Sequence, residues 1–77
     1  MIEFYVRQEL IEHFVILKMP IPTSNYKDAQ IEWFRSNQRL EPGARLRIEI
    51  IRKRRIITRL LIRHFEQGDV GVYQCRN

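Results

Sequence analysis

The sequence predicts an α+β domain in which one helix packs on an antiparallel sheet of four or five strands, in the order ββαββ(β). Three observations predict this class. Apolar and polar residues alternate near both ends of the chain, which is typical of half-buried strands. A central segment carries aromatic and charged residues on opposite sides at helical spacing. The length of 77 residues, with 44% hydrophobic and 30% charged residues, indicates a single small domain over residues 1–77.

Residues 2–19 contain two extended segments. In the first, IEFYVRQ, apolar residues alternate with polar ones and with Tyr5. The second has a dense β-branched and aromatic run at residues 14–17, which suits a more central strand. The intervening QELIE lacks Gly, Asn and Pro, which weakens the prediction of a hairpin turn. We therefore predict two strands, with one amphipathic helix over residues 3–18 as the alternative.

The predicted helix follows a linker that contains Pro20 and Pro22. Residues 23–25, Thr-Ser-Asn, supply possible N-caps, and YKDAQIEWFRSNQ at residues 26–38 then predicts a helix of about three turns. Trp33 and Phe34 fall on its apolar side and are expected to pack on the sheet. Pro42 and Gly43 are expected to end the helix region.

The segment of residues 44–65 predicts a β-hairpin, since apolar and polar residues alternate on each side of a basic centre. Paired residues must share a face, so their numbers must sum to an even value if both apolar faces point to the core. Pairing Arg52 with Ile56 satisfies this rule and leaves residues 53–55 as a three-residue loop. It also places Glu49 opposite Arg59, which is a favourable cross-strand pair. A five-residue tip would keep the same parity.

The charge of this segment carries the functional prediction. It holds eight cations and one acid, in a chain with eleven arginines and three lysines. Arginine binds phosphate or carboxylate in a bidentate manner, although cations on outer strands also serve only to keep sheets soluble. We predict a small non-catalytic binding module that engages an acidic macromolecule, with nucleic-acid backbone as the first candidate. The predicted contact residues are Arg45, Arg47, Arg52, Lys53, Arg54, Arg55, Arg59 and Arg63.

The alternative prediction is a protein–protein interaction module that binds an acidic protein surface. It would use the same arginines or an exposed sheet edge, and self-association through such an edge is one form of it. The predicted order of strands and helix resembles that of several very small phage-encoded proteins that inhibit host machines, including RNA polymerase inhibitors and some anti-CRISPR proteins. That similarity rests on size and element order alone and implies no particular residue.

Other classes are disfavoured by what the sequence contains. It has no phosphate-binding glycine loop and no nucleophile in a recognisable frame, so we expect neither enzymatic activity nor a cofactor. The spacing of His13, His64 and Cys75 matches no metal-ligand pattern. Charges interrupt every apolar run, the first residues do not form a secretory signal, and the single cysteine suits a reducing compartment. These features predict a soluble cytoplasmic protein without a membrane contact.

The end of the chain, EQGDVGVYQCRN, predicts a turn followed by a last short strand at residues 70–75. Within it, DVGVYQC resembles the aspartate, glycine, tyrosine and cysteine run of immunoglobulin-type domains. The resemblance covers seven residues, and it implies a second cysteine and a core tryptophan spacing that the chain does not show, in a longer sandwich. We therefore interpret these residues as the last strand of the predicted α+β sheet.

Overall fold

The computed structural model describes residues 3–21 and 31–76. These residues form seven strands, which are β1 (Glu3–Val6), β2 (Val15–Ile21), β3 (Glu32–Arg35), β4 (Gln38–Arg39), β5 (Leu46–Arg52), β6 (Ile56–Ile62) and β7 (Gly71–Arg76). Two short 3-10 turns, Gln8–Leu10 and Gln67–Asp69, lie between strands. The described residues contain no α-helix, and so no helix that could span a membrane.

The strands form two antiparallel sheets. One has the order β1-β7-β3-β4 and the other the order β2-β6-β5. A single hydrophobic core draws side chains from both sheets, so the sheets are the two layers of a β-sandwich. Its buried members are Val6, Val15, Met19, Trp33, Leu40, Leu60, Ile62, Phe65 and Tyr73.

The hairpin of β5 and β6 has the register that the sequence predicts. Arg52 pairs with Ile56, Glu49 pairs with Arg59, and residues 53–55 form the loop. Alternation explains this register, because Thr58, Leu60 and Ile62 are buried while the intervening positions are not. A slip of one residue would turn this buried set toward solvent. The predicted hairpin is therefore confirmed.

The predicted helix is wrong. Residues 32–35 and 38–39 are strands, joined by a two-residue turn in which Ser36 and Asn37 have φ values of 48° and 67°. Such a turn matches the twist of its flanking strands, and asparagine tolerates this backbone region better than most residues. The predicted α+β class is therefore also wrong, because the described residues contain no α-helix. Residues 22–30, which include the predicted caps and the first part of the helix, lie outside the described residues.

Trp33 and Phe34 explain the error. Helical spacing predicts that both lie on one apolar side, yet in β3 adjacent residues point to opposite faces. Trp33 is completely buried in the core, and Phe34 lies on the outer face, where the Arg76 guanidinium stacks 3.9 Å from its ring centre. Trp33 also donates a hydrogen bond from Nε1 to Thr58 Oγ1 at 3.0 Å across the two sheets. Packing between the sheets therefore favours a strand at residues 32–35, although the spacing of the apolar residues predicts a helix.

The N-terminal segments are strands, as predicted, but they do not form a hairpin. β1 joins the first sheet, where Phe4 pairs with Tyr73, and β2 joins the second sheet beside β6. The chain crosses between the sheets through residues 7–14, where Glu12 adopts a φ of 73° and donates its backbone N–H to the Phe65 carbonyl at 2.7 Å. The predicted last strand is confirmed with bounds of Gly71–Arg76.

Candidate functional site

The loop between β5 and β6 concentrates positive charge at one end of the hairpin. We call residues 53–55, Lys53, Arg54 and Arg55, the hairpin tip. All three are exposed, and the Lys53 N–H donates to the Arg55 carbonyl at 3.3 Å, which closes the loop without a glycine. Within the described part of the chain, none of the three side chains has an acidic partner. The tip can therefore offer three solvated cations to a ligand.

The centre of the hairpin is largely neutralised. The Arg59 Nε donates to Glu49 Oε1 at 3.1 Å, and its terminal nitrogen forms a close ion pair with the same oxygen. Both side chains are 29% exposed, so water competes only partly for this pair. Arg47 lies 3.8 Å from the other Glu49 oxygen but is 75% exposed. The predicted Glu49 and Arg59 pairing is confirmed, and it removes Arg59 as an unpaired cation.

Arg45 is engaged by acidic and backbone partners of the described fold. Its Nη1 donates to Asp69 Oδ2 at 2.8 Å and to the His64 carbonyl at 3.2 Å, and its Nη2 lies 3.5 Å from Glu66. The hydrogen bond that Arg45 donates to the Asp69 carboxylate raises the pKa of Arg45 further above its already high ordinary value. Arg45 therefore ties the start of β5 to the turn before β7.

The eight predicted contact residues do not meet at a single place. Arg52 is exposed beside the hairpin tip, and Arg63 is exposed at the opposite end of β6, near Arg45. Because each strand has seven residues, the two ends lie about 20 Å apart at ~3.3 Å per residue. Arg47 and Arg59 lie between them. The hairpin thus presents a charged tip, a paired centre and a separate basic end.

Asp69 organises a corner that sequence reasoning missed. Its carboxylate accepts bonds from Arg45, from Arg35 Nη1 at 3.3 Å and from the Glu66 N–H at 2.8 Å, and its side chain is only 7% exposed. Burial acts to raise the pKa of Asp69, but these hydrogen bonds and the two guanidinium charges outweigh it, so the pKa lies below its usual range.

Tyr73 completes this corner. Its hydroxyl donates to the Asp69 carbonyl, and its ring is completely buried. Burial raises the pKa of the Tyr73 hydroxyl, which therefore stays protonated and acts as a donor. A tyrosine two residues before a core cysteine, bonded back to the chain a few residues upstream, is the tyrosine corner of β-sandwich domains. The sequence signal for it was the run DVGVYQC, which contains Asp69, Tyr73 and Cys75.

The core around the corner contains a thiol but no disulfide. Cys75 is the single cysteine of these 77 residues, is partly buried against the core, and has its pKa raised by burial to about 11. The β2 side chains that face the core are apolar and include Val15, Leu17 and Met19. Trp33 packs in the same core, with its ring centre 6.1 Å from that of Phe4. Apolar packing thus occupies the region that a disulfide crosses in many such sandwiches.

Two antiparallel sheets, a buried tryptophan and a tyrosine corner define an all-β sandwich of immunoglobulin type. The family model of the immunoglobulin domain matches residues 22–76, which is more than two thirds of the chain. The chain therefore belongs to the immunoglobulin domain family. No solved structure matches the chain at a significant level.

The family corrects three predictions. The DVGVYQC run belongs to a true immunoglobulin domain, so its interpretation as part of an α+β sheet is wrong. The α+β class conflicts with the all-β family, and so does the predicted nucleic-acid partner, because immunoglobulin domains are binding modules that often engage proteins. The likeness to small phage inhibitors rested on an element order that the structure does not have.

The chemistry of the family agrees with the non-catalytic part of the prediction. Immunoglobulin domains are small binding modules and are generally not enzymes. Among residues 3–21 and 31–76, no three histidine, cysteine or acidic side chains lie close enough together to hold a metal ion. The eight basic residues remain predicted contacts, which neither the fold nor the family tests.

Proposed function

We propose that this domain binds a protein partner and that the hairpin tip contacts an acidic surface of that partner. The observation that carries the proposal is the difference between the tip and the two cations Arg45 and Arg59 of the same hairpin. Arg45 and Arg59 are held by Asp69 and Glu49, whereas the tip places adjacent cations in solvent that pair with no acid of residues 3–21 and 31–76. Membership of a family of binding modules supports a protein as the ligand.

Electrostatics gives the tip a defined role. Exposed charges at the rim of an interface mainly accelerate association and make binding sensitive to salt, while buried contacts set the lifetime of a complex. The formal net charge of +5 attracts an acidic partner over about one Debye length, ~8 Å at physiological salt. We therefore infer that the tip orients the partner and contributes to its recognition.

Affinity purification with quantitative mass spectrometry tests the proposal. The test variant carries Arg54→Glu and Arg55→Glu. The control carries Arg7→Glu and Arg39→Glu, which change the net charge by the same amount at exposed sites with weak ion pairs, away from the hairpin. Circular dichroism establishes that both variants are folded.

A stoichiometric partner that the wild type and the control retain, and that the tip variant loses by about tenfold or more, supports the proposal. Its association rate should also fall steeply between low and high salt. A partner that all three proteins bind equally well would exclude the tip as the contact. The absence of any stoichiometric protein partner would refute protein binding itself.

A further inference from the structure

A groove of about 440 Å³ opens at the end of the hairpin opposite its tip. It is bordered by the start of β5, the end of β6 and the residue before β2. Its lining residues are Phe14, Gly43, Ala44, Arg45, Leu46, Arg47, Leu61 and Arg63. The groove therefore combines apolar and basic side chains at a place separate from the hairpin tip.

The apolar part of this surface is unusually exposed. Phe14 is 55% exposed and Ile16 is 42% exposed, and both rank among the large hydrophobic residues that the described fold leaves open to water. Ile16 pairs with Leu61 in the register of β2 and β6, so the two side chains lie side by side on the outer face. A contiguous apolar patch beside polar residues marks a site of interaction more often than isolated exposed residues do.

The basic part consists of two guanidinium groups. Arg63 is exposed and has no acidic partner among residues 3–21 and 31–76. Arg47 shares a row with Leu61 and contacts Glu49 only at 3.8 Å, while Glu49 is bound more closely by Arg59. Arg45 is already neutralised by Asp69. Two positive charges therefore flank an apolar floor.

We propose that this groove binds an acidic segment of a partner protein that carries an apolar side chain between carboxylates. The apolar side chain would cover Phe14 and Leu61, and the carboxylates would pair with the Arg47 and Arg63 guanidinium groups, which suit bidentate binding. A second copy of the chain is a weaker occupant, because both copies carry a net charge of +5 and repel one another. The inference rests on the proposed protein-binding function but concerns a different surface from the tip.

A synthetic peptide tests the groove directly. The probe is a fluorescein-labelled octapeptide with Phe and Leu at its centre and Glu or Asp at all other positions, and anisotropy gives its affinity. The variants are Phe14→Ser and Arg63→Glu. Tyr5→Ser is the matched control, because Tyr5 is a 65% exposed aromatic residue on the other sheet.

We expect Phe14→Ser to weaken peptide binding by about tenfold or more and Arg63→Glu by at least about fivefold. Tyr5→Ser should change it by less than about twofold. Backbone amide shifts of the ¹⁵N-labelled protein should move at residues 43–47 and 61–63 and not at residues 53–55. A control peptide with Lys in place of the acids should not bind.

Peptide shifts at the tip alone, or no saturable binding by 1 mM peptide, would overturn the inference. Shifts of the groove resonances with protein concentration in the absence of peptide would assign the groove to a second copy instead. A protein partner lost from the tip variant but bound normally by the Phe14→Ser variant would refute the groove and leave the proposed function standing. A protein partner bound normally by both variants would refute the two together.

Discussion

Replacing Asp69 by alanine should destabilise the domain by about 2–3 kcal/mol. The substitution leaves the Arg45 and Arg35 guanidinium groups and the Glu66 N–H without their shared acceptor. Removing one partner of a buried ion pair costs about 3–5 kcal/mol. The Arg45 and Arg35 side chains are 40% and 26% exposed, so water can solvate both and reduces this cost. The Tyr73 bond survives, since it is made to the Asp69 backbone.

This loss is large for a chain of 77 residues, whose total stability is expected to be about 4–12 kcal/mol. The melting temperature should fall by about 10–20 °C. Urea unfolding measures the change, with fluorescence of Trp33, the single tryptophan, as the signal. Glu41→Gln is the control, because Glu41 is 70% exposed and lies 3.6 Å from Arg39, so it should cost less than about 0.5 kcal/mol.

The pH dependence of the same effect follows from the lowered pKa of Asp69. A carboxylate whose pKa is lower in the folded state stabilises the fold above its unfolded pKa, and this contribution disappears as the pH falls through the folded value. The stability difference between the wild type and Asp69→Asn should thus be constant between about pH 5 and pH 7 and shrink below about pH 4. A cost below about 0.5 kcal/mol for Asp69→Ala, or a difference that grows in acid, would refute this account of the corner.

Two further predictions concern the core. Thr58→Val should lower the free energy of unfolding by about 1–3 kcal/mol and shift the indole N–H resonance of Trp33, because that N–H loses its acceptor in a buried site. Thr58→Ser should preserve the resonance. An unchanged resonance in Thr58→Val would contradict the hydrogen bond. Cys75 should react with a thiol reagent at pH 8 about 100-fold more slowly in the folded protein than in guanidinium, since burial raises its pKa to about 11 and depletes the thiolate. Equal rates in the two states would show that the thiol is open to solvent.

The parts of this fold that could be predicted are those that depend on a local rule of strand pairing. The β5 and β6 register followed from alternation and parity, because the buried face of Thr58, Leu60 and Ile62 excludes any slip by one residue and the shortest loop of that parity pairs Arg52 with Ile56. The same register also predicts the close ion pair of Glu49 and Arg59. Such rules operate over a few residues, where the sequence contains all the relevant information.

Contacts between the two sheets could not be predicted from local sequence patterns. The partner of Trp33 is Thr58, which lies 25 residues away, and residues 32–35 also pair with β7, so the contacts of this strand lie outside any local sequence window. The corner around Asp69 lies in the DVGVYQC run, but the second cysteine, the tryptophan spacing and the longer sandwich that the resemblance implies are not visible in the sequence, which favoured a different fold class. The core is packed by apolar residues such as Met19 around a single cysteine, so the fold forms without that second cysteine. The ion pair of Arg45 could not be predicted for a related reason, since Asp69, the acid that it contacts at 2.8 Å, comes from another part of the chain.

The position of β7 has a consequence for how the protein is made. This strand lies between β1 and β3, and Glu3 on the first strand pairs with Gln74, near the other end of the described chain. A ribosome delivers β7 after the other six described strands, so a nascent chain with those six strands has two parts of a sheet with nothing between them. Pairings that span so much sequence close slowly, and until then apolar strand edges are exposed to aggregation. The nascent chain must therefore be released, or extended well past residue 76, before the sandwich can close.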